Sequence, residues 1–110
     1  MTRKERILKD IINAGGGNLK DWKKVNYSSG YMVAIQKGAI IDINDIKAII
    51  EFIDSVNGSC GLWVNNGFMY IDISINIPEK EKAIKLASEL EELAIFDCVN
   101  MKDIPLESNK

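Results

Sequence analysis

Aromatic and acidic side chains alternate near the middle of the chain. Phe68, Tyr70 and Asp72 are separated by single apolar residues, and Trp63 lies a few residues before Phe68. Because successive side chains of a β-strand point to opposite faces, these four side chains are predicted to lie on one face of a sheet. Exposed aromatic rings on a sheet stack against nucleobases or anchor a protein partner. We therefore expect a binding surface formed by Trp63, Phe68, Tyr70 and Asp72.

Three accounts of these aromatic residues are open from the sequence. The rings can stack RNA bases, but Asp72 and Asp97 and the lack of nearby basic residues disfavour that account. They can contact a partner protein or a second copy of the chain, which we favour. Alternatively, the N-terminal helix folds back over them, which would bury its own apolar stripe. That stripe consists of Ile7, Leu8, Ile11 and Ile12.

Residues suited to catalysis are scarce. The chain contains no histidine, the residue that most often serves as a general base near neutral pH. Asp42, Asp45 and Asp54 lie near the second predicted helix, where capping explains them better than binding of Mg²⁺ or Ca²⁺. We expect a protein that is not an enzyme, with no catalytic residue, no metal and no cofactor.

The two cysteines indicate a reduced protein. Cys60 and Cys98 form no C-x-x-C pair, and we expect both to be small buried apolar residues. The N-terminus does not have the pattern of a signal peptide, and no window approaches the ~18 apolar residues of a membrane helix. We expect a cytoplasmic protein without a membrane segment.

The first 25 residues are basic, whereas the remainder is acidic. The chain has 14 Lys and Arg against 16 Asp and Glu, and its net charge is −2. Arg3, Lys4, Arg6 and Lys9 lie in the predicted N-terminal helix. This basic arm is typical of a solvated helix face, and it can also contact phosphates. Because the chain has no overall basic footprint, nucleic acid is the less favoured partner. A nucleic-acid-binding or regulatory module that uses the arm is the alternative function.

The chain is predicted to form a single domain, residues 1–110. Thr2 and Glu5 have the spacing of a helix capping box, and Gly15 is a typical helix stop. The predicted segments are an N-terminal helix (1–14), a glycine-rich flexible joint (15–18), an α+β core (30–99) and a loosely held tail (100–110).

The core has the element order of a ferredoxin-like fold. Asn66-Gly67 between two apolar runs predicts a β-hairpin, because this pair tolerates the positive φ angles of a tight turn. A strand and a helix flank the hairpin on each side, which gives the order β-α-β-β-α-β. We expect a four-stranded antiparallel sheet in the order 4-1-3-2 with two helices on one face, preceded by the N-terminal helix.

The third predicted helix offers a second candidate surface for a partner. It begins near Pro78 and carries an acidic face with Glu89, Glu91 and Glu92. A solvated charged face is the simpler explanation of these three residues.

Four short motifs of the core form a recognisable pattern. They are Gly30-Tyr31-Met32-Val33, Gly61-Leu62-Trp63-Val64 with Asn66-Gly67, Tyr70-Ile71-Asp72-Ile73-Ser74, and Leu93-Ala94-Ile95-Phe96-Asp97. On these motifs, residues 30–98 resemble small accessory proteins of phages and other mobile elements, some of which inhibit restriction or CRISPR–Cas systems. The resemblance implies an anti-CRISPR-like factor that binds a host protein, such as a defence nuclease complex, as a monomer or homodimer. A dimeric α+β domain that binds a small ligand is the remaining alternative.

Overall fold

The computed structural model describes residues 1–106, and over this range it has three helices and seven strands. The helices are α1 (Arg3–Ala14), α2 (Ile46–Asp54) and α3 (Lys80–Glu89). The strands are β1 (Gly16–Lys20), β2 (Lys23–Lys24), β3 (Tyr31–Asp42), β4 (Ser59–Asn65), β5 (Phe68–Ile77), β6 (Ala94–Asp97) and β7 (Lys102–Pro105). The α+β class is confirmed. None of the helices in the described part is long and apolar enough to span a membrane.

The predicted four-stranded ferredoxin-like sheet is wrong, because the sheet has seven strands. They are hydrogen-bonded in the order β2-β1-β4-β5-β3-β6-β7. The four strands that the sequence indicated are β3, β4, β5 and β6, and their order among themselves is the predicted one. Strands β1 and β2 extend the sheet beyond β4, and β7 extends it beyond β6. The three additional strands are short and mostly polar or glycine-rich, so they lack the apolar alternation that marks a strand.

The chain divides into two compact units. The first consists of Met1–Val25 with Lys37–Ile73, and the second, within the described residues, of Asn26–Gln36 with 74–106. Strands β3 and β5 contribute residues to both units. The prediction of a single domain stays a prediction, and each unit is described by itself below.

Helix α1 begins and ends as its sequence predicts. The hydroxyl of Thr2 accepts a hydrogen bond from the Glu5 amide at 3.1 Å, and the Glu5 carboxylate accepts one from the Thr2 amide at 2.7 Å. These reciprocal bonds satisfy two amides that a helix start leaves without partners. Gly15 ends the helix with φ +87°. The capping box and the glycine stop are confirmed.

The core of the first unit packs α1 and α2 against β1, β4 and β5. Its buried side chains include Leu8 and Ile11 of α1, Ile49 of α2, Leu62 of β4 and Ile71 of β5. The apolar residues of each helix recur every three or four positions and so form one stripe, which faces the sheet. Burial of a large aliphatic side chain stabilises a fold by roughly 1.5–3 kcal/mol, and this cluster is the main source of stability for the unit.

The predicted flexible joint at 15–18 is wrong. Gly16, Gly17 and Asn18 belong to β1 and pair with Trp63, Leu62 and Gly61 of β4. A Cβ atom on Gly16 would lie 2.7 Å from the carbonyl oxygen of Leu62. The glycine therefore permits a close approach between two strands and does not serve as a hinge.

Two tight turns close the hairpins of the first unit. Asn66 and Gly67 have φ of +52° and +82° between β4 and β5, as the Asn-Gly pair predicts. Asp21 and Trp22 have φ of +52° and +59° between β1 and β2, although neither residue is glycine. Trp22 is held in this uncommon conformation by its burial in the core.

The second unit has a smaller core, and most of the predicted tail belongs to it. Val33, Ala83, Ala87 and Ile95 are buried together, and Ile104 packs against them. Ile104 pairs with Ile95 across β6 and β7, so the prediction of a loose tail from residue 100 is wrong. The apolar side chains at 104 and 106 supply the burial that holds β7 in place. The prediction for 107–110 lies outside the described residues.

Candidate functional site

The candidate site lies on one face of the sheet in the first unit. In β4, Leu62 is buried and Trp63 is exposed; in β5, Met69 and Ile71 are buried and Asp72 is exposed. This alternation directs Leu62, Met69 and Ile71 to the core and the residues between them to the opposite face. The predicted placement of Trp63, Phe68, Tyr70 and Asp72 on that face agrees with the strand bounds and the burial pattern.

Trp63 and Tyr70 form the centre of this face. Their ring centroids are 4.9 Å apart with an interplanar angle of 25°, so the two rings stack across neighbouring strands. Such a pair contributes about 0.5–1.5 kcal/mol beyond its buried area. Trp63 remains 48% exposed and Phe68 43% exposed. The stacked pair and Phe68 therefore form an apolar surface that contacts solvent.

Strand β3 completes the face with residues that the sequence argument missed. Ile40 is 63% exposed, and with Gly38 it lines an open depression beside Trp63, Tyr70 and Asp72. Gly38 lies so close to Ile71 that a Cβ atom would overlap its carbonyl oxygen. The sequence signal that could have identified Ile40 is the second apolar run of β3, Ala39-Ile40-Ile41, which follows Ile35 after three residues. We call Trp63, Phe68, Tyr70, Asp72 and Ile40 the aromatic face.

Helix α1 does not cover the aromatic face. Leu8 and Ile11 of α1 are buried in the same core as Leu62 and Ile71, which point away from Trp63. The apolar stripe of α1 is thus buried on the opposite side of the sheet. The account in which the N-terminal helix folds over the aromatic residues is wrong.

Two of the four basic residues of the arm bind other residues of the first unit. The Arg3 guanidinium donates a hydrogen bond to the Trp22 carbonyl at 3.0 Å. The Lys4 ammonium binds Asp54 at 2.8 Å and lies 5.2 Å from the centre of the Trp22 ring. Arg6 and Lys9 are exposed. Of the four residues predicted to contact phosphates, two therefore bind other residues of the first unit, Arg3 and Lys4. The other two, Arg6 and Lys9, face solvent.

The acidic face of the third helix is only partly helical. Glu89 is the last residue of α3, whereas Glu91 and Glu92 lie in the turn that follows. Glu91 has φ +59°, and the amide of Glu92 donates a hydrogen bond to the Ala87 carbonyl at 2.8 Å. The prediction of one helical acidic face is wrong, because the helix ends before two of its three residues.

The carboxylates that could suggest a metal site have local roles. Asp45 is the N-cap of α2 and accepts a hydrogen bond from the Ala48 amide, and Asp42 accepts one from the Asn44 amide. Asp54 accepts from the indole nitrogen of Trp22 at 2.7 Å as well as from Lys4. Hydrogen bonds from Lys4 and Trp22 lower the pKa of Asp54. Within residues 1–106, no three Asp, Glu, Cys or His side chains converge as metal ligands would.

Asp97 is held by local hydrogen bonds, and the two cysteines are buried in the fold. The buried Asp97 carboxylate accepts hydrogen bonds from the side chain and amide of Asn100 and from the Val99 amide, and these lower its pKa. Cys60 and Cys98 are buried free thiols, as expected. Burial raises the pKa of Cys60 to about 11, so its reactive thiolate form is rare at neutral pH.

Comparison of the chain with models of protein families, with curated protein sequences and with solved structures finds no match. The resemblance to phage and mobile-element proteins therefore stays a prediction.

Proposed function

We propose that this chain is a protein-binding module and that the aromatic face is its contact surface. The supporting observation is the Trp63–Tyr70 stack, in which Trp63 is exposed and Tyr70 half-buried, while the helices of their unit pack on the other side of the sheet. An isolated exposed apolar residue needs no explanation, but a patch of two aromatic rings with Phe68 and Ile40 beside them is typical of an interaction site. Trp and Tyr are the residues most often found as anchors of protein interfaces.

The shape and charge of the aromatic face favour a protein over the other ligand classes. Its depression is open, whereas a small-molecule site usually encloses most of its ligand. Its charged residue is the acid Asp72, so the face offers no positive charge to phosphates. Two residues of the basic arm, Arg3 and Lys4, are engaged by Trp22 and Asp54, which weakens the nucleic-acid alternative.

The finer proposal is that the partner is a host protein, such as a defence nuclease complex, and that binding inhibits it. This proposal rests on the resemblance of residues 30–98 to mobile-element proteins. Glu89, Glu91 and Glu92 are its second candidate surface. The inhibitor proposal requires a partner of that class to be identified, whereas the general proposal requires only that a protein binds at the aromatic face.

The test is affinity capture from host lysate with matched variants. The tagged wild-type chain, a Trp63→Ala/Tyr70→Ala variant and a Leu93→Ala variant are compared, each with and without nuclease treatment. Leu93 is 86% exposed and belongs to the second unit, so its substitution removes an exposed apolar side chain without changing the aromatic face. Thermal unfolding of each variant checks that it is folded.

We expect a stoichiometric protein that survives nuclease treatment, is retained by Leu93→Ala and is lost from the double variant. Equal capture by all three chains would contradict the aromatic face as the contact surface. Capture that disappears with nuclease treatment, and with neutralisation of Arg6 and Lys9, would favour the nucleic-acid alternative.

A further inference from the structure

Strand β3 has a length of backbone edge to which no other strand is paired. It lies between β5 and β6 in the sheet, but β6 pairs with Tyr31 and Met32, near the start of β3. In the first unit, the segment Lys37–Asp42 therefore has β5 on one side and, among residues 1–106, no strand on the other. We call Lys37–Asp42 the free edge.

The main chain of the free edge is directed outward at Ile40. The Ile43 amide donates a hydrogen bond to the Gly67 carbonyl at 3.0 Å, on the side of β5. In an antiparallel pair, the hydrogen-bonding groups of successive residues point to alternate sides, so Ile41 is also directed to β5 and Ile40 is directed away from it. The N–H and C=O of Ile40 therefore lie at the free edge, in the arrangement that the backbone of another extended chain matches.

The other two edges of the sheet are protected against such pairing, whereas the free edge is not. Strand β2 is two lysines long, and β7 contains Lys102, Asp103 and Pro105. Short edges, charged side chains and proline are the features by which proteins prevent pairing with another chain. The free edge has charges only at its ends, and the run between them, Gly38-Ala39-Ile40-Ile41, contains neither a charge nor a proline. An unprotected apolar edge of this kind is typical of a site to which a partner adds a strand.

The free edge adjoins the aromatic face through Ile40. The side chain of Ile40 is 63% exposed and lines the open depression with Trp63 and Tyr70. An added strand would lie about 4.8 Å from β3, and its side chain opposite Ile40 would extend the aromatic face by one strand. A β-branched or aromatic side chain packs well against isoleucine at such a cross-strand position. A partner that contacts the aromatic face is thus within reach of the free edge.

We propose that a partner protein adds an extended strand to the free edge, with main-chain hydrogen bonds to Ile40 and an apolar side chain packed beside it. In this mode of recognition the main-chain bonds supply affinity, and the alternate side chains supply selectivity. The inference rests on the proposed function and deepens it, since it assigns the conformation of the partner segment that reaches the aromatic face.

A displayed library of short random peptides is the probe. Peptides selected on the wild-type chain are synthesised, and their dissociation constants are measured for wild type, Ile40→Ala, Ile40→Pro, Trp63→Ala/Tyr70→Ala and the control Leu93→Ala. Ile40→Ala removes the side chain and keeps the N–H, whereas Ile40→Pro also removes the N–H. Proline is tolerated in an edge strand where its nitrogen faces solvent, and thermal unfolding checks that the variant is folded.

We expect the selected peptides to have apolar residues at alternate positions. Their dissociation constants should be at least about tenfold higher for Ile40→Pro than for Ile40→Ala, because a main-chain hydrogen bond is lost and its partner carbonyl is left unsatisfied. Leu93→Ala should bind as the wild type does. N-methylation of the peptide amides that face β3 should weaken binding to the wild-type chain to a similar extent, and this arm does not depend on the folding of the proline variant.

The outcomes separate this inference from the proposed function. Equal binding by Ile40→Ala and Ile40→Pro, or indifference to N-methylation, overturns the added strand; if binding is still lost from Trp63→Ala/Tyr70→Ala, the proposed function stands. If no peptide is selected, the inference fails, and capture from lysate through Trp63 and Tyr70 decides the proposed function by itself. A wild-type chain that forms a dimer in sedimentation equilibrium, and loses it in Ile40→Pro, assigns the free edge to a second copy and also overturns the inference.

Discussion

Substitution of Gly38 tests the geometry that brings β3 against β5 beside the aromatic face. In Gly38→Ala, the added Cβ would overlap the carbonyl oxygen of Ile71 and lie 3.0 Å from its carbonyl carbon. These neighbours are backbone atoms, so no side chain can rotate away, and the two strands must separate. Gly38 does not have a left-handed φ, and the effect is therefore steric. Overpacking of this kind costs about 1–3 kcal/mol, and we expect the upper end because the neighbour is backbone.

The free energy of unfolding is measured by urea denaturation, together with the midpoint of thermal unfolding. A loss of about 3 kcal/mol lowers the thermal midpoint of a domain of this size by roughly 12 °C or more. Gly61→Ala is the matched control, because its Cβ would have a nearest neighbour at 3.4 Å, the side-chain oxygen of Asn18. We expect a change within about 0.5 kcal/mol for the control. Equal stabilities of Gly38→Ala and Gly61→Ala would refute the close approach of β3 to β5.

Three further predictions concern groups outside the aromatic face. Trp22→Ala should destabilise the fold by about 3–5 kcal/mol in urea denaturation, because Trp22 is buried and binds Asp54; a loss below 1 kcal/mol would show that it does not anchor the first unit. Asp97 has its pKa held below the ordinary value of 3.8 by Asn100, so its stabilising effect is complete at neutral pH and is lost as the pH falls below about 4. The stability difference between wild type and Asp97→Asn should therefore shrink on acidification, and a constant difference would contradict this role. Cys60, with a pKa of about 11, should react slowly with a disulfide reagent at pH 8 and rapidly in denaturant; equal rates would show that the thiol is not buried.

Sequence patterns predicted the elements whose signal is local. The capping box of Thr2 and Glu5 and the turn at Asn66-Gly67 depend on hydrogen bonds and φ angles within a few residues, and both were identified. The bounds of β5 follow from its alternation of apolar and polar residues. The side chains beside Trp63 on the aromatic face were predicted in part, because Phe68 and Tyr70 lie on the other strand of the same hairpin.

Features that depend on distant pairing were missed. Strand β1 has only Leu19 as a buried apolar residue, and it is a strand because β4 pairs with it. Strand β7 likewise requires β6. Ile40 joins the aromatic face because β3 lies beside β5, a relation that no local spacing specifies. The polar residues of these segments resemble loops until their neighbours are known.

The most direct test of the aromatic face compares the chain's two tryptophans within one sample. Trp22 is 8% exposed and Trp63 is 48% exposed, so hydroxyl-radical oxidation followed by mass spectrometry should modify Trp63 much faster in the dilute free chain. When the captured partner is added, we expect the oxidation of Trp63 to fall while that of Trp22 stays the same. Oxidation of Trp63 that remains unchanged in the presence of the partner would contradict the proposal that a protein binds at this face.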